Sequence, residues 1–217
     1  LMDRFNLEKL KTIGDSYMCA GGIPIENKTH PVDTILAALE IQAVMFEAKK
    51  LRQSLNLPFW ELRLGIHTGP LIAGVIGEKK FAYDVWGDTV NVASRMESSG
   101  TPEMVNISKA TYDLVKDFFH CEYRGEIQAK NKGFVEMYYV MGIRKELCIE
   151  DEPRVPSFRF WILYDRLKKG EPLNVKNLKD RRIGLNDERK VFKERRKSNL
   201  KKILSNKKNE STDEILN

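Results

Sequence analysis

A carboxylate in a glycine turn is the first candidate for chemical function in this sequence. Residues 11–15 are Lys-Thr-Ile-Gly-Asp, and short apolar runs lie on both sides of the Gly14-Asp15 pair. Gly-Asp is common in hairpin turns, so an ordinary surface turn is the simplest interpretation. A carboxylate at a turn tip also suits Mg²⁺ when phosphate oxygens supply the remaining ligands. Asp15 is therefore a candidate metal ligand, and Lys11 is a candidate ligand-binding residue on the adjoining strand.

A second candidate segment, residues 84–95, carries polar side chains at helical spacing. Asn91 and Arg95 are four positions apart and share one helix face, whereas Val92 and Met96 fall on a face suited to the core. For an isolated pair, a solvated helix surface is the simplest interpretation. These residues, however, lie near a helix start that follows a glycine turn, where anionic groups bind favourably. An arginine for a phosphate and an asparagine for a neighbouring sugar oxygen are chemically consistent.

A third candidate is the turn around Lys130, where the sequence is Lys-Asn-Lys-Gly. A charged β-turn is the simplest interpretation of these residues. Lysines in such a turn also suit a triphosphate, which they would contact as point charges.

The apolar pattern predicts interleaved strands and helices. The predicted elements are a hairpin over 7–13 and 17–23, a helix over 32–54, two strands within 61–77, a helix over 88–98 capped by Asp88 or Thr89, a strand over 105–107, a helix from a Ser108 cap to Phe118, a hairpin over 120–130 and 134–142, and a short element over 158–167. Hairpins outnumber plausible parallel crossovers. The pattern therefore favours an α+β sandwich over a doubly wound parallel sheet.

The charge distribution separates a near-neutral domain from a basic tail. Residues 1–143 hold 16 Lys and Arg against 18 Asp and Glu, whereas residues 144–217 hold 21 against 13. The overall charge of +6 therefore belongs to the tail, in which a helix over 187–204 and disorder over 205–217 are expected. A nucleic-acid-binding domain would more often carry the basic stripe on its folded part, so no nucleic-acid partner is predicted. A contact of the tail with a membrane surface or a protein partner stays open.

Cysteine use and hydropathy predict a cytoplasmic protein. Three cysteines, none at metal-ligand spacing, argue against a disulfide framework and indicate reduced thiols. No apolar stretch reaches the roughly 18 residues of a membrane span, and no signal peptide is visible.

Four segments together resemble the class III adenylate/guanylate cyclase catalytic domain, in that family's order and spacing. They are KTIGDSYM at 11–18, GIHTGPLIAGVIG at 65–77, YDVWGDTVNVASRM at 83–96 and GEIQAKNKG at 125–133. The resemblance covers residues 1–143, and the third segment is highly specific. It implies a ferredoxin-like nucleotidyl cyclase sandwich with a mainly antiparallel sheet.

The resemblance also implies roles for the candidate residues. Asp15 matches the second of two metal-binding aspartates, and two Mg²⁺ or Mn²⁺ ions per site are implied. Lys11 and Asp84 match the pair that recognises adenine, Asn91 and Arg95 match the transition-state residues, and Lys130 matches a triphosphate contact. Guanylate cyclases typically carry Glu and a smaller residue at the adenine-recognising positions. The resemblance therefore favours ATP as substrate, cyclic AMP and pyrophosphate as products, and a role in intracellular signalling.

The same family builds its site between two subunits arranged head to tail, so a homodimer is expected. Its first metal aspartate, first strand and first helix have no counterpart in residues 1–14, and they are expected to lie upstream of Leu1. Attachment to a membrane through a longer parent protein stays open. The alternative to an active adenylate cyclase is a catalytically incomplete domain that binds nucleotide or dimerises. A nucleic-acid binder on a ferredoxin-like sheet is disfavoured because no exposed aromatic platform is apparent in residues 1–143.

Overall fold

The structure is a computed structural model in which residues 2–77, 81–129, 133–149 and 152–173 are described. Within these ranges the strands are β1 (Leu7–Ile13), β2 (Ser16–Gly21), β3 (Leu64–Ile66), β4 (Ile72–Ile76), β5 (Ala82–Trp86), β6 (Val105–Ser108), β7 (Phe119–Ala129), β8 (Gly133–Ile143), β9 (Cys148–Ile149) and β10 (Glu152–Pro156). The helices are α1 (His30–Ser54), α2 (Asp88–Ser98), α3 (Lys109–Val115) and α4 (Phe158–Lys169). The predicted α+β class is confirmed.

A four-stranded sheet in the order β3-β6-β8-β7 forms the centre of the fold. Strands β3 and β6 are parallel, and the β6–β8 and β8–β7 pairs are antiparallel. In the long β7–β8 hairpin, Phe119 lies opposite Ile143 at one end and Ala129 lies opposite Gly133 at the other. The predicted C-terminal hairpin is therefore confirmed, and it supplies the longest edge of the sheet.

Two separate hairpins lie beside the central sheet. Strands β1 and β2 pair from Leu7–Gly21 to Ile13–Ser16, as the sequence predicts, with a bulge between Lys9 and Lys11. Gly14 adopts φ 61° while Asp15 keeps a negative φ, which is the pattern of a type II′ turn. The second hairpin consists of β4 and β5.

Helix α1 buries its first half and exposes its second half. The core residues from Val32 to Leu39 include Ile35, which is fully buried, whereas Leu51 and Leu55 near the helix end are more than half exposed. The segment that follows leaves Trp60 69% exposed. None of the helices in the described ranges is long and apolar enough to cross a bilayer.

Helix α2 begins without the predicted side-chain cap. Gly87, at φ 135°, occupies the N-cap position, and neither Asp88 nor Thr89 caps the helix. The Thr89 hydroxyl instead donates a hydrogen bond to the Pro70 carbonyl oxygen, so it ties the helix start to the preceding loop. Gly87 reaches a backbone conformation that L side chains rarely adopt, which explains why a glycine occupies this corner.

Helix α3 is shorter than predicted. The Ser108 hydroxyl accepts a hydrogen bond from the Thr111 backbone N–H, so the predicted cap is confirmed. The helix ends at Val115 rather than at Phe118 because the chain turns there to bury Phe118 and Phe119, which are 0% and 1% exposed. The free energy gained by burying two aromatic rings exceeds the free energy gained by one further helical turn.

Residues 144–173, which the charge count assigns to the basic tail, belong to the compact unit, and the short element predicted over 158–167 is present as α4. They contain β9, β10 and α4, and Leu147, Phe160 and Leu163 within them are at most 1% exposed. Apolar residues at helical spacing in α4 fill the core, which explains why this segment folds with the domain. The helix and the disorder predicted for 187–204 and 205–217 lie outside the described residues.

Candidate functional site

Lys11 and Asp84 meet between the two hairpins. Lys11 follows the bulge in β1, and Asp84 lies in β5 opposite Gly74. The Lys11 Nζ atom donates a hydrogen bond to Asp84 Oδ2 at 2.6 Å. The two residues that the resemblance pairs are therefore brought together, as a donor and an acceptor side by side.

The electrostatics of this pair favour an ionised carboxylate. The hydrogen bond from Lys11 is the main cause that lowers the pKa of Asp84, and the backbone N–H of Val85 adds to it by donating to Oδ1 at 2.8 Å. The side chains of Lys11 and Asp84 are 41% and 20% exposed, so solvent and ligand can reach both. The pair is open enough to exchange its mutual hydrogen bond for bonds to a polar ligand.

Asp15 lies at the tip of the first hairpin and is exposed. Among the described residues, no cluster of three His, Cys, Asp or Glu side chains could hold a metal ion, so Asp15 supplies a single carboxylate. A lone exposed carboxylate fits Mg²⁺ as one ligand, because Mg²⁺ is commonly held by one or two carboxylates together with substrate phosphates and water. The residues present therefore fit a metal that arrives with a phosphorylated substrate.

Helix α2 presents Asn91 and Arg95 on its outer side. Asn91 is exposed, and the Arg95 guanidinium donates from Nη1 to the Gln128 carbonyl oxygen in β7 at 3.3 Å. Val92 and Met96 on the opposite side are 2% and 0% exposed, as predicted. They form a core cluster with Met137, against which Ile127 and Val135 of the β7–β8 hairpin pack.

Two further residues, whose role was not predicted from the sequence, fix the position of α2. Asn106 in β6 is fully buried and donates from Nδ2 to the Met96 carbonyl oxygen at 2.7 Å. A Cβ atom at Gly65 would overlap the backbone of Met96 and Glu97, so β3 and α2 are in direct backbone contact. Two features of the sequence could have indicated this role. Asn106 is an amide within the apolar strand β6, and Gly65 is a glycine in β3, the parallel neighbour of β6.

The other predicted site residues that the structure describes are Asp15, Asn91 and Arg95. No hydrogen bond or ion pair in the described ranges joins Asp15 to Asn91 or to Arg95. Lys130, the predicted triphosphate contact, lies outside the described residues.

The sequence matches a known family over the part that carries these residues. The model of the adenylate and guanylate cyclase catalytic domain matches residues 1–142. The chain therefore belongs to this family, and the resemblance predicted from its motifs is confirmed.

Curated relatives include cyclases of both substrate classes. An adenylate cyclase of Mycobacterium tuberculosis is 41% identical over 142 residues, which are 65% of this chain and 31% of that protein. Guanylyl cyclase C of Homo sapiens is 35% identical over 196 residues, which cover 84% of this chain and 18% of that protein. The second similarity therefore continues past residue 142. The chain spans less than a third of the length of either relative.

Solved structures of cyclase domains share the fold. The adenylyl cyclase CyaB from P. aeruginosa has a TM-score of 0.60 and 27% identity, over 66% of this chain and 76% of that one. A dimeric guanylyl cyclase domain of the RhoGC fusion protein from Blastocladiella emersonii has a TM-score of 0.55 and 28% identity, with the same coverage.

Proposed function

We propose that this chain is the catalytic domain of an adenylate cyclase, which converts ATP to cyclic AMP and pyrophosphate in intracellular signalling. The observation that carries this choice of base is the hydrogen bond between Lys11 and Asp84. A lysine donates to a ring nitrogen of adenine, and an aspartate accepts from its exocyclic amino group. Guanine presents the opposite pattern at these atoms, so the same pair disfavours GTP.

The reaction is an in-line displacement at the α-phosphorus of ATP. A bond forms between the ribose 3′ oxygen and the α-phosphorus as the bond to the pyrophosphate oxygen breaks, and the hydroxyl proton is lost to solvent. Arg95 stabilises the negative charge that develops on the phosphate, and Asn91 orients the ribose. Lys130 contacts the triphosphate as a point charge. Such preorganised contacts are worth about 3–4 kcal/mol each in other enzymes.

Asp15 is the residue that would hold a divalent cation, Mg²⁺ or Mn²⁺, with two ions per site. When bound, such an ion polarises phosphate oxygens and lowers the proton affinity of the attacking hydroxyl. The exposed position of Asp15 at a two-residue turn supports this role, because the carboxylate can approach a triphosphate without moving the core.

A head-to-tail homodimer completes the site in this proposal. The second hairpin exposes a set of large apolar side chains: Ile72, Val75, Ile76, Phe81 and Trp86. An exposed apolar patch of this kind favours association with another protein surface. Because no hydrogen bond or ion pair in the described ranges joins Asp15 to Asn91 or Arg95, one subunit would supply Asp15 and its partner the residues of α2.

A second candidate function is a cyclase-like module that binds ATP or dimerises without turnover. It is favoured by the single carboxylate at the candidate metal position, since no metal-binding cluster exists among the described residues. It shares the predicted preference for adenine.

Cyclic nucleotide production and nucleotide binding separate these functions. The chain as given, a version that includes the upstream segment expected to carry the first metal aspartate, and the variants Lys11→Glu/Asp84→Cys and Arg95→Ala of each would be compared with ATP and GTP in the presence of Mn²⁺. We expect cyclic AMP from the extended parent, a shift of preference towards GTP in its double variant, and loss of turnover with retained ATP binding in its Arg95→Ala variant. Lys9→Glu, on the same strand as Lys11, is the matched control.

Selective ATP binding without product would favour the second candidate. An unchanged preference for ATP in the double variant would contradict the adenine assignment.

A further inference from the structure

The segment that follows the family match forms a clamp on the domain. This clamp, residues 144–149 and 152–169, begins where the Arg144 backbone N–H donates to the Phe118 carbonyl oxygen at 3.0 Å. Phe160 in α4 is fully buried and meets the rings of Phe118 and Phe119 edge-on, with centroids 5.2 and 6.0 Å apart. Trp161 lies edge-on to Phe160 at 5.3 Å. The clamp is therefore held by a shared aromatic core and not by surface contacts alone.

A polar contact connects the clamp to the first turn of α1. The Tyr164 hydroxyl donates to Asp33 Oδ1 at 2.7 Å, and the Thr29 hydroxyl donates to Asp33 Oδ2 at 2.8 Å. Asp33 is only 4% exposed, and this burial raises its pKa. The two hydrogen bonds and the charge of Lys168 oppose that rise by stabilising the ionised form. The carboxylate thus depends on Tyr164 for one of its two hydroxyl donors.

The first turn of α1 lies directly against the base of the first hairpin. A Cβ atom at Gly21, the last residue of β2, would lie 2.9 Å from His30 Cβ and 3.3 Å from the Thr34 hydroxyl. The same atom would lie 3.1 Å from the side chain of Leu7, which begins β1 and is 5% exposed. A displacement of this helical turn would therefore move both strands of the hairpin.

The hairpin itself has little internal stability. It pairs only two strands, and isolated two-stranded hairpins are marginal in water. Its register places Lys11 next to Asp84, and its tip carries Asp15. The orientation of both side chains consequently depends on what holds the hairpin base.

We propose that Tyr164 is a positioning residue which, through Asp33, fixes the first turn of α1 and with it the hairpin that carries Lys11 and Asp15. The inference rests on the proposed function in so far as these two residues bind nucleotide and metal. The similarity to guanylyl cyclase C, which continues beyond residue 142, supports a role for this segment in the domain.

Removal of one hydroxyl tests the proposal in the full chain. Tyr164→Phe keeps the ring and removes the hydroxyl that donates to Asp33. Tyr139→Phe is the matched control, because the Tyr139 hydroxyl meets the Thr101 hydroxyl at 2.6 Å on another part of the domain. The readouts are amide hydrogen exchange over residues 7–21 and the affinity for a fluorescent ATP analogue with Mn²⁺.

In Tyr164→Phe we expect amide exchange over residues 7–21 to be about three- to tenfold faster, and nucleotide affinity to fall by a similar factor. Tyr139→Phe should leave both unchanged. Tyr164→Phe/Asp33→Asn should recover part of the loss, because a neutral amide does not need the hydroxyl to stabilise a buried charge.

Equal effects of the two tyrosine variants would overturn the proposal, as would faster exchange confined to residues 29–34. If the parent chain binds no nucleotide, the proposed function fails. The exchange comparison over residues 7–21 still decides whether Tyr164 positions the hairpin.

Discussion

Lys11 and Asp84 are 73 positions apart in the chain, and their side chains meet at 2.6 Å. Each belongs to a hairpin that pairs only within itself, so this contact is a direct polar link between two otherwise separate sheets. The contact therefore links the two hairpins and defines the charge pattern of the candidate site.

Replacement of Lys11 by Met should raise the pKa of Asp84. Lys11 is the main cause of the lowered pKa, whereas the bond from the Val85 N–H remains in the variant. A lowered carboxyl pKa gives a stabilising effect that is present above the unfolded pKa and is lost as pH falls through the folded pKa. Asp84 in the variant should therefore protonate at a higher pH, which an NMR titration of its carboxyl carbon measures. Lys9→Met is the control, and the same midpoint in parent and Lys11→Met would contradict the assignment.

A methyl group at Gly65 should displace α2. The added Cβ overlaps the backbone of Met96 and Glu97, and backbone cannot rotate away as a side chain can. Gly65→Ala should therefore lower the free energy of unfolding by about 3 kcal/mol or more. Gly74→Ala is the matched control, since its nearest neighbour would be the Trp86 ring at 3.6 Å, an ordinary contact. Denaturant unfolding compares the two, and similar losses would argue against the close approach of β3 and α2.

Truncation of Asn106 should destabilise the domain without touching the candidate site directly. Asn106→Ala removes the amide that donates to the Met96 carbonyl oxygen and leaves that oxygen without this partner. The expected loss in free energy of unfolding is about 1–3 kcal/mol. Asn91→Ala, on the exposed side of α2, should change stability by less than about 0.5 kcal/mol. Urea unfolding of both variants gives the comparison, and a neutral Asn106→Ala would refute the role assigned to its amide.

Loss of the Phe160 ring should show that the clamp is part of the domain core. Phe160→Ala removes a fully buried ring that contacts Phe118 and Phe119, and such changes cost about 3–5 kcal/mol. Phe134→Ala, at a ring that is 68% exposed, is the control and should be close to neutral. Thermal unfolding distinguishes them. A melting temperature unchanged by Phe160→Ala would mean that the domain does not depend on the clamp.

Much of the fold followed from local sequence patterns. The Gly14-Asp15 turn, the long helix α1 and the Ser108 cap each depend on residues close in sequence, and the structure confirms them. The buried side of α2 was predictable for the same reason, because Val92 and Met96 follow helical spacing.

The wrong predictions concern segments whose structure depends on residues far away in the sequence. The end of α3 depends on the burial of Phe118 and Phe119 against Phe160, some 40 positions away. The cap of α2 differed because Thr89 bonds to a loop carbonyl and not to its own helix. The short element predicted over 158–167 is present as α4, but its packing into the core was not predicted because its aromatic residues lie among many charges.

The three tryptophans of the chain lie in three places that matter to these proposals. Trp86 follows Asp84 by two residues on β5 and is 37% exposed, Trp60 is 69% exposed beyond α1, and Trp161 packs on the ring of Phe160 in α4. The chain thus carries its own optical reporters. Variants that keep one indole at a time would give separate emission signals from the candidate site, the end of α1 and the clamp, without an attached dye.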